Sequence, residues 1–302
     1  MFSIGYFCTT YTNQLVFHFN IKILFLFQFT SCFIQAAVLG IFQTHHLITA
    51  LIAVNPCDVV LSPAVYAIFN IPLNFSNLAM EFSQLLMVVE RTLATCLFSC
   101  YERTTRAIGI VLAAISAILP GLSCFYMYYG DNFSHPQMSA MATSPNSLRV
   151  VNYLFITVTV INFIALLHSI GLYKHNKRRI LATEMKDHFI LSSRYQLSEN
   201  ETSSKLLWLL STAQLVLYLF YGIAMYSLRI FLVGPRTAVW QAVTELCYTP
   251  PMYCAVLPVV FIMTIKSSQK DRNMKISSLV QMRSTGHEGW DNYQNMLQKQ
   301  WA

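Results

Sequence analysis

An all-α, polytopic membrane helix bundle is the fold class this sequence predicts, and three observations carry the prediction. Of the 302 residues, 55% are hydrophobic and only 11% charged, and the mean hydropathy is positive. Soluble domains carry about 25% charged residues, so this chain lacks the polar surface a soluble fold needs. Apolar runs of roughly 20 residues, the length that crosses a bilayer core as a helix, recur between short polar stretches. One of the runs is polar along a single helical face, which a lipid-surrounded helix cannot tolerate but a bundle interior can.

That run extends from Ser62 to Arg91 and supplies the axis. Asn70, Asn74, Asn77, Glu81 and Gln84 recur at spacings of four, three, four and three, with Arg91 seven further on. At about 100° per residue they lie within an arc of roughly 100° on one face. Amides and carboxyl groups in hydrocarbon cost several kcal/mol unless partnered, so this face must turn inward.

About six spans are expected, near residues 21–42, 62–90, 107–129, 150–173, 206–228 and 238–265, giving a bundle over 1–265 and a polar, Ser-rich tail over 266–302 expected to be poorly ordered. The first twenty residues lack both a basic start and a small-residue cleavage site, so no signal peptide is expected. Asn55-Pro56 marks a turn ahead of the axial helix. The loops at 43–61 and 130–147 contain no Lys or Arg. Basic residues instead collect at Lys22, at Arg91, Arg103 and Arg106, between 174 and 205, and after Ile265; Arg149, Arg229 and Arg236 are the exceptions. The positive-inside rule makes the basic side cytoplasmic and places both termini there, in a multi-pass protein of the plasma membrane. Asn132-Phe133-Ser134 is an N-glycosylation sequon in a loop this orientation puts outside; the sequons at Asn74 and Asn200 fall where they cannot be used.

Composition also narrows function. The net charge of +7 is distributed between apolar spans, which argues against nucleic-acid binding. The eight cysteines include no C-x-x-C pair, and neither a metal site nor a cofactor is expected. His45-His46 lacks an accompanying H-x-x-x-H cluster and no G-x-S-x-G occurs, so no enzyme is expected.

Asn70, Asn74, Asn77, Glu81 and Glu245 are the candidate ligand-binding residues. The three amides line the half of the stripe reachable from outside, although interhelical hydrogen bonds worth about 0.6 kcal/mol explain each one as well. Glu81 lies roughly 15 Å from Arg91 along the helix, near the midplane, where an ionisable group is a functional candidate by default. Gln214 and His168 are possible partners for the carboxylates.

NPCD at 55–58, ERTLAT at 90–95 followed by YER at 101–103, and LSSRYQLSEN at 191–200 together resemble the nematode serpentine chemoreceptors of the Sra superfamily, most closely the class alpha/beta group, over nearly the whole chain from His18. HFNIKIL at 18–24 and GHEGWDNYQ in the tail are similar as well. The resemblance implies a seven-helix, G-protein-coupled receptor fold, a sensory role, an unknown small-molecule ligand and a heterotrimeric G-protein partner. HFNIKIL resembles the entry to the second helix of such receptors, so the chain is expected to lack the first, as in a truncated gene model or isoform.

The resemblance also assigns G-protein coupling to Glu90, Arg91, Tyr101, Glu102, Arg194 and Tyr195. Glu90-Arg91 stands where rhodopsin-like receptors hold an Arg with a neighbouring carboxylate at rest and release it on activation. Any cytoplasmic helix end also favours an Arg, through the helix dipole and the positive-inside rule. Lys174 to Lys205 is the expected G-protein surface or, equally, a loop attracted to anionic lipid. Thr249-Pro250-Pro251-Met252-Tyr253 resembles the N-P-x-x-Y element with Thr for Asn, and its prolines are expected to kink a helix. Cys57 has no cysteine partner between residues 125 and 246, so the outer-loop disulfide of rhodopsin-like receptors is not expected. A secondary transporter relaying protons or cations through Glu81 and Glu245 is the alternative function; no internal inverted repeat supports it.

Overall fold

The computed structural model describes residues 17–97, 107–133, 137–144, 146–184, 191–231 and 238–284, with isolated positions beyond 289. Among the described residues the elements are α1 (Phe19–Ile52), a 3-10 turn (Pro56–Val59), α2 (Pro63–Cys96), α3 (Ala107–Tyr128), α4 (Leu148–Glu184), α5 (Leu191–Phe231), α6 (Ala238–Leu246) and α7 (Pro250–Ser284). Stretches long and apolar enough to cross a membrane fall at Phe19–Ile52, Ala107–Tyr128, Leu148–Ala182, Gln196–Leu228 and Ala242–Met274.

The axial helix begins where local chemistry dictates. The Ser62 hydroxyl accepts from the Val65 amide at 3.4 Å, and Pro63, lacking an N–H that would be orphaned anyway, opens the first turn. α2 then packs against α1, α3, α4 and α5. Its inward face buries Asn70, Ser76, Glu81, Ser83, Gln84, Glu90 and Arg91 together with Leu73, Met80 and Met87. α1 answers with a polar row of its own: the Ser76 hydroxyl bonds the side-chain oxygen of Gln35, the Ser83 hydroxyl that of Gln28, and Gln28 Nε2 donates to the Tyr253 hydroxyl at 2.8 Å. At Gly109 α3 runs so close to α1 that a Cβ would lie 2.6 Å from the Asn20 Cα.

Helix extents differ from expectation in three places. Much of the segment from Lys174 to Lys205, expected as a loop, is helical: α4 continues to Glu184 and α5 starts at Leu191, because the segment contains no Gly or Pro to end either helix. The last expected span is two helices, parted at Cys247–Thr249. Pro250 and Pro251 lack two consecutive N–H donors, so they start α7 rather than kink one continuous helix, and the Thr249 hydroxyl, just ahead of them, donates to the Leu217 carbonyl at 2.7 Å. The polar stretch after Ile265, expected to be poorly ordered, is helical as far as Ser284, since no glycine or proline intervenes between Pro258 and Gly286.

The connection between α3 and α4 is folded inward. Gln137, Ser139, Ala140, Met141, Ala142 and Ser144 are all buried. Leu61 donates its amide to the Gln137 carbonyl at 2.8 Å, forming an isolated antiparallel bridge. Ala140 and Met141 join Phe42, Leu61, Tyr66 and Leu73 in an apolar cluster at the α2 N-terminal end. Two compact units divide after Pro258. The second carries the remainder of α7, where the Thr264 hydroxyl donates to the Val260 carbonyl at 2.8 Å.

Candidate functional site

The polar face of α2 borders a cavity of about 80 Å³. Asn74, Asn77 and Glu81 form one wall, Phe155 of α4 another, and Tyr218 and Tyr221 of α5 a third, with Tyr248 beside the α6–α7 break. Met141 and Thr143 of the inward-folded loop also contribute to the lining. Its makeup, apolar and aromatic walls with a few fixed polar groups, is what orients a small-molecule ligand.

Each amide on the stripe is held. Asn74 Nδ2 donates to the Tyr128 hydroxyl at 2.7 Å and to the Asn70 carbonyl at 3.0 Å. Asn77 Nδ2 donates at 3.0 Å to the Tyr248 hydroxyl, which Gln35 Nε2 also reaches at 2.7 Å. Asn77 Oδ1 has no hydrogen-bond partner among the described residues. Glu81 accepts from Asn162 Nδ2 at 3.0 Å through one carboxylate oxygen. None of the described residues lining the cavity is basic.

Three turns further along α2, Arg91 is 1% exposed and enclosed by acceptors. Its Nη2 donates to Glu90 Oε1 at 2.6 Å and its Nε to the other carboxylate oxygen. Nη1 reaches across to α5, donating to Asn200 Oδ1 at 3.2 Å and Ser203 Oγ at 3.0 Å, with Glu199 Oε1 at 3.5 Å. Glu199 is fixed in turn by the His18 amide at 2.6 Å. A planar fork with five donors suits this many-sided capture, which an ammonium could not reproduce. Around it, Asn176 of α4 bonds Thr95 at 3.2 Å and Ser204 at 3.0 Å, tying α2, α4 and α5 at one end of the bundle.

The profile of the serpentine type 7TM GPCR receptor class ab chemoreceptors matches residues 1–302. The chain belongs to that family. Serpentine receptor class beta-17 of Caenorhabditis elegans is 64% identical over 301 residues, covering 100% of this chain and 83% of that protein. Class beta-13 and class beta-6 of the same organism are 27% and 25% identical, covering 96% and 94% of this chain and 84% of each relative. The chain is thus a multi-pass membrane protein of a serpentine chemoreceptor family. These comparisons lend no support to the transporter alternative.

In this serpentine receptor the expected ligand residues separate. Asn74, Asn77 and Glu81 meet in the cavity. Asn70 does not line it: its Nδ2 donates to the Ala140 carbonyl at 2.6 Å and its Oδ1 accepts from Tyr128, so it moors the inward-folded loop. Glu245 also stays outside the lining; it lies on α6, with one carboxylate oxygen buried and lacking a hydrogen-bond partner among the described residues. Gln214 shares a smaller cavity with Glu81, whereas His168 pairs with neither carboxylate and instead meets the Thr92 hydroxyl at 2.9 Å. Glu90 and Arg91 are joined as described. Tyr101 and Glu102 lie outside the described residues, and Arg194 and Tyr195 belong to the first turns of α5. Asn132 is exposed, beside Gly130 and Phe133, which take φ of 77° and 50°.

Sequence reasoning missed Glu199, Asn200 and Ser203, because the loop reading of 174–205 removed them from any helix face. It also missed Gln28 and Gln35, whose seven-residue spacing on an apolar helix was a readable signal. Tyr128, Tyr218, Tyr221 and Tyr248 left no pattern to read, being counted as apolar.

Proposed function

We propose that this chain is a chemosensory receptor that binds a small molecule among its helices and signals through a heterotrimeric G protein. The observation that carries the reading is the capture of Arg91. A permanently charged guanidinium is buried between Glu90 on its own helix and Glu199, Asn200 and Ser203 on α5, and in this reading the α2–α5 contact it makes is the resting state of a two-state element. Separating α5 from α2 frees donors that a G-protein segment can take up. The cavity bordered by Asn74, Asn77, Tyr221 and Tyr248 is the ligand site in this reading, and its α5 wall links occupancy to the position of the helix that holds Arg91.

Membrane orientation belongs to the same proposal. The Arg91 end faces the cytoplasm with the C-terminus, the loop bearing Asn132 faces outside, and the plasma membrane is the site of action. Glycosylation at Asn132 tests the orientation: Asn132→Gln should remove a glycan-dependent mobility shift on gels, and an unchanged shift would reverse it.

For the switch itself, the full chain is expressed with a G-protein reporter. Arg91→Ala is expected to abolish G-protein activation at normal surface level, and Glu199→Gln, which weakens the resting capture, to raise ligand-independent activity. Basal and evoked signals indistinguishable from wild type in both variants would remove the switch from consideration.

A further inference from the structure

Three sulfur atoms converge where α1, α2 and α7 meet. The Cys32 thiol of α1 and the Cys254 thiol of α7 both donate to Met80 Sδ of α2, at 3.2 Å and 3.8 Å. Cys32 and Met80 are buried, and Cys254 is half-buried. On either side of the sulfurs an amide, a serine hydroxyl and a phenol tie the same segments together: Gln28, Ser83 and Tyr253 on one side, Gln35, Ser76 and Tyr248 on the other. The two glutamines stand four residues before and three after Cys32, and the two serines four before and three after Met80. Depth and rotation at the sulfurs are therefore fixed by these flanking bonds, since thiols and thioethers are weak hydrogen-bonding partners themselves.

We propose that Cys32, Met80 and Cys254 form a binding site for copper(I). Metal–thiolate bonds of about 2.3 Å, the zinc value, set three sulfurs around a shared ion roughly 4 Å apart, close to the separations already present. Thiolate and thioether are soft donors, and copper(I) is a soft ion that such donors select. Zinc favours a four-ligand tetrahedron, whereas this cluster offers three sulfurs, one of them an uncharged thioether. Charge agrees with the choice. One thiol gives its proton to solvent and its sulfur bonds the ion, so Cu⁺ and one thiolate make a neutral unit suited to the membrane interior. The second thiol and the thioether contribute lone pairs without changing protonation, and no electron is transferred. Because the ligands come from three helices, no short cysteine spacing in the sequence announces the site. The bound ion braces α1 and α7 against the axial helix.

The test uses the purified full chain in nanodiscs, titrated anaerobically with copper(I) against the chelator bicinchoninate. Wild type is expected to retain one ion per chain more than Cys32→Ala or Cys254→Ala, and Cys124→Ala, whose thiol is buried elsewhere, to retain as many as wild type. Met80→Leu keeps both thiols and nearly the same volume, so it decides the matter should the cysteine variants not fold. It is expected to weaken binding by about tenfold or more, at least the effect of losing an outer-shell partner of a metal. X-ray absorption at the copper edge should show a coordination shell of sulfur alone. Equal retention by wild type and the Cys32 and Cys254 variants would mean that exposed thiols such as Cys57 and Cys96 hold the copper. That result, unchanged affinity in Met80→Leu, or nitrogen or oxygen in the shell would each overturn the proposal. The measurement needs neither ligand nor G protein, so its failure is separate from failure of the receptor reading.

Discussion

α2 and α4 touch along the middle of the bundle yet invert the usual relation between polarity and burial. α2 carries amides, two carboxylates and a guanidinium, and it buries all of them but Asn74 and Asn77, which are half-buried. α4 has one of the most apolar stretches in the chain, and only 17% of that stretch is buried; Ile156, Phe163, Ile164 and Leu167 are more than half exposed. In water this would be a protein turned inside out. In lipid, exposing apolar side chains costs nothing, while an inward polar face is the one arrangement that keeps hydrogen-bonding groups matched. High hydropathy therefore marks the helices around the rim, and interrupted hydropathy marks the axis.

The strongest way to break the comparison is to unbalance the axis at its most buried charge. Glu90→Ala leaves Arg91 short of its nearest carboxylate and should cost about 3–5 kcal/mol, seen as loss of monodisperse protein in size-exclusion chromatography of detergent extracts. Next comes polarity on the rim. Ile164→Arg places a cation towards lipid at a cost of about 3 kcal/mol and should reduce insertion of α4 in a glycosylation-mapping assay, whereas Ile164→Ala should lie within about 0.5 kcal/mol of wild type. If the arginine variant inserts normally, that face of α4 is not lipid-facing.

Smaller effects sharpen the picture. Asn70→Ala removes the donor to the Ala140 carbonyl and should cost about 1–3 kcal/mol, with faster proteolysis between residues 130 and 147. Thr92→Val removes one interhelical contact, with His168, and should lower stability by about 0.6 kcal/mol in urea titrations of the reconstituted protein. A loss several-fold larger would show that this contact, at the α2–α4 seam, is part of the axis.

The moored loop shows how much of the site was legible in advance. Cys57 is exposed and free among the described residues. The fastening that stands in its place, by the Leu61 amide, the Tyr66 hydroxyl and Asn70, could not be read from the sequence. Its acceptors are backbone carbonyls at Gln137, Ala142 and Ala140, and a carbonyl carries no residue identity. Glu90 and Arg91 were legible because they are adjacent; Asn200 was not, because more than a hundred residues separate it from the guanidinium it binds. The two prolines after Thr249 were visible, but whether they kink a helix or begin one depends on the break at Cys247–Thr249.

The sequence by itself determined where the apolar runs lie and which face of α2 turns inward, since bilayer thickness fixes span length and unmatched polar groups are costly in hydrocarbon. Tertiary structure alone decided which amides border the cavity, which loop is drawn down beside it and which α5 side chains enclose Arg91. Those outcomes depend on helix rotation and depth, and in lipid these are set by packing and by a few directional hydrogen bonds between residues far apart in the chain.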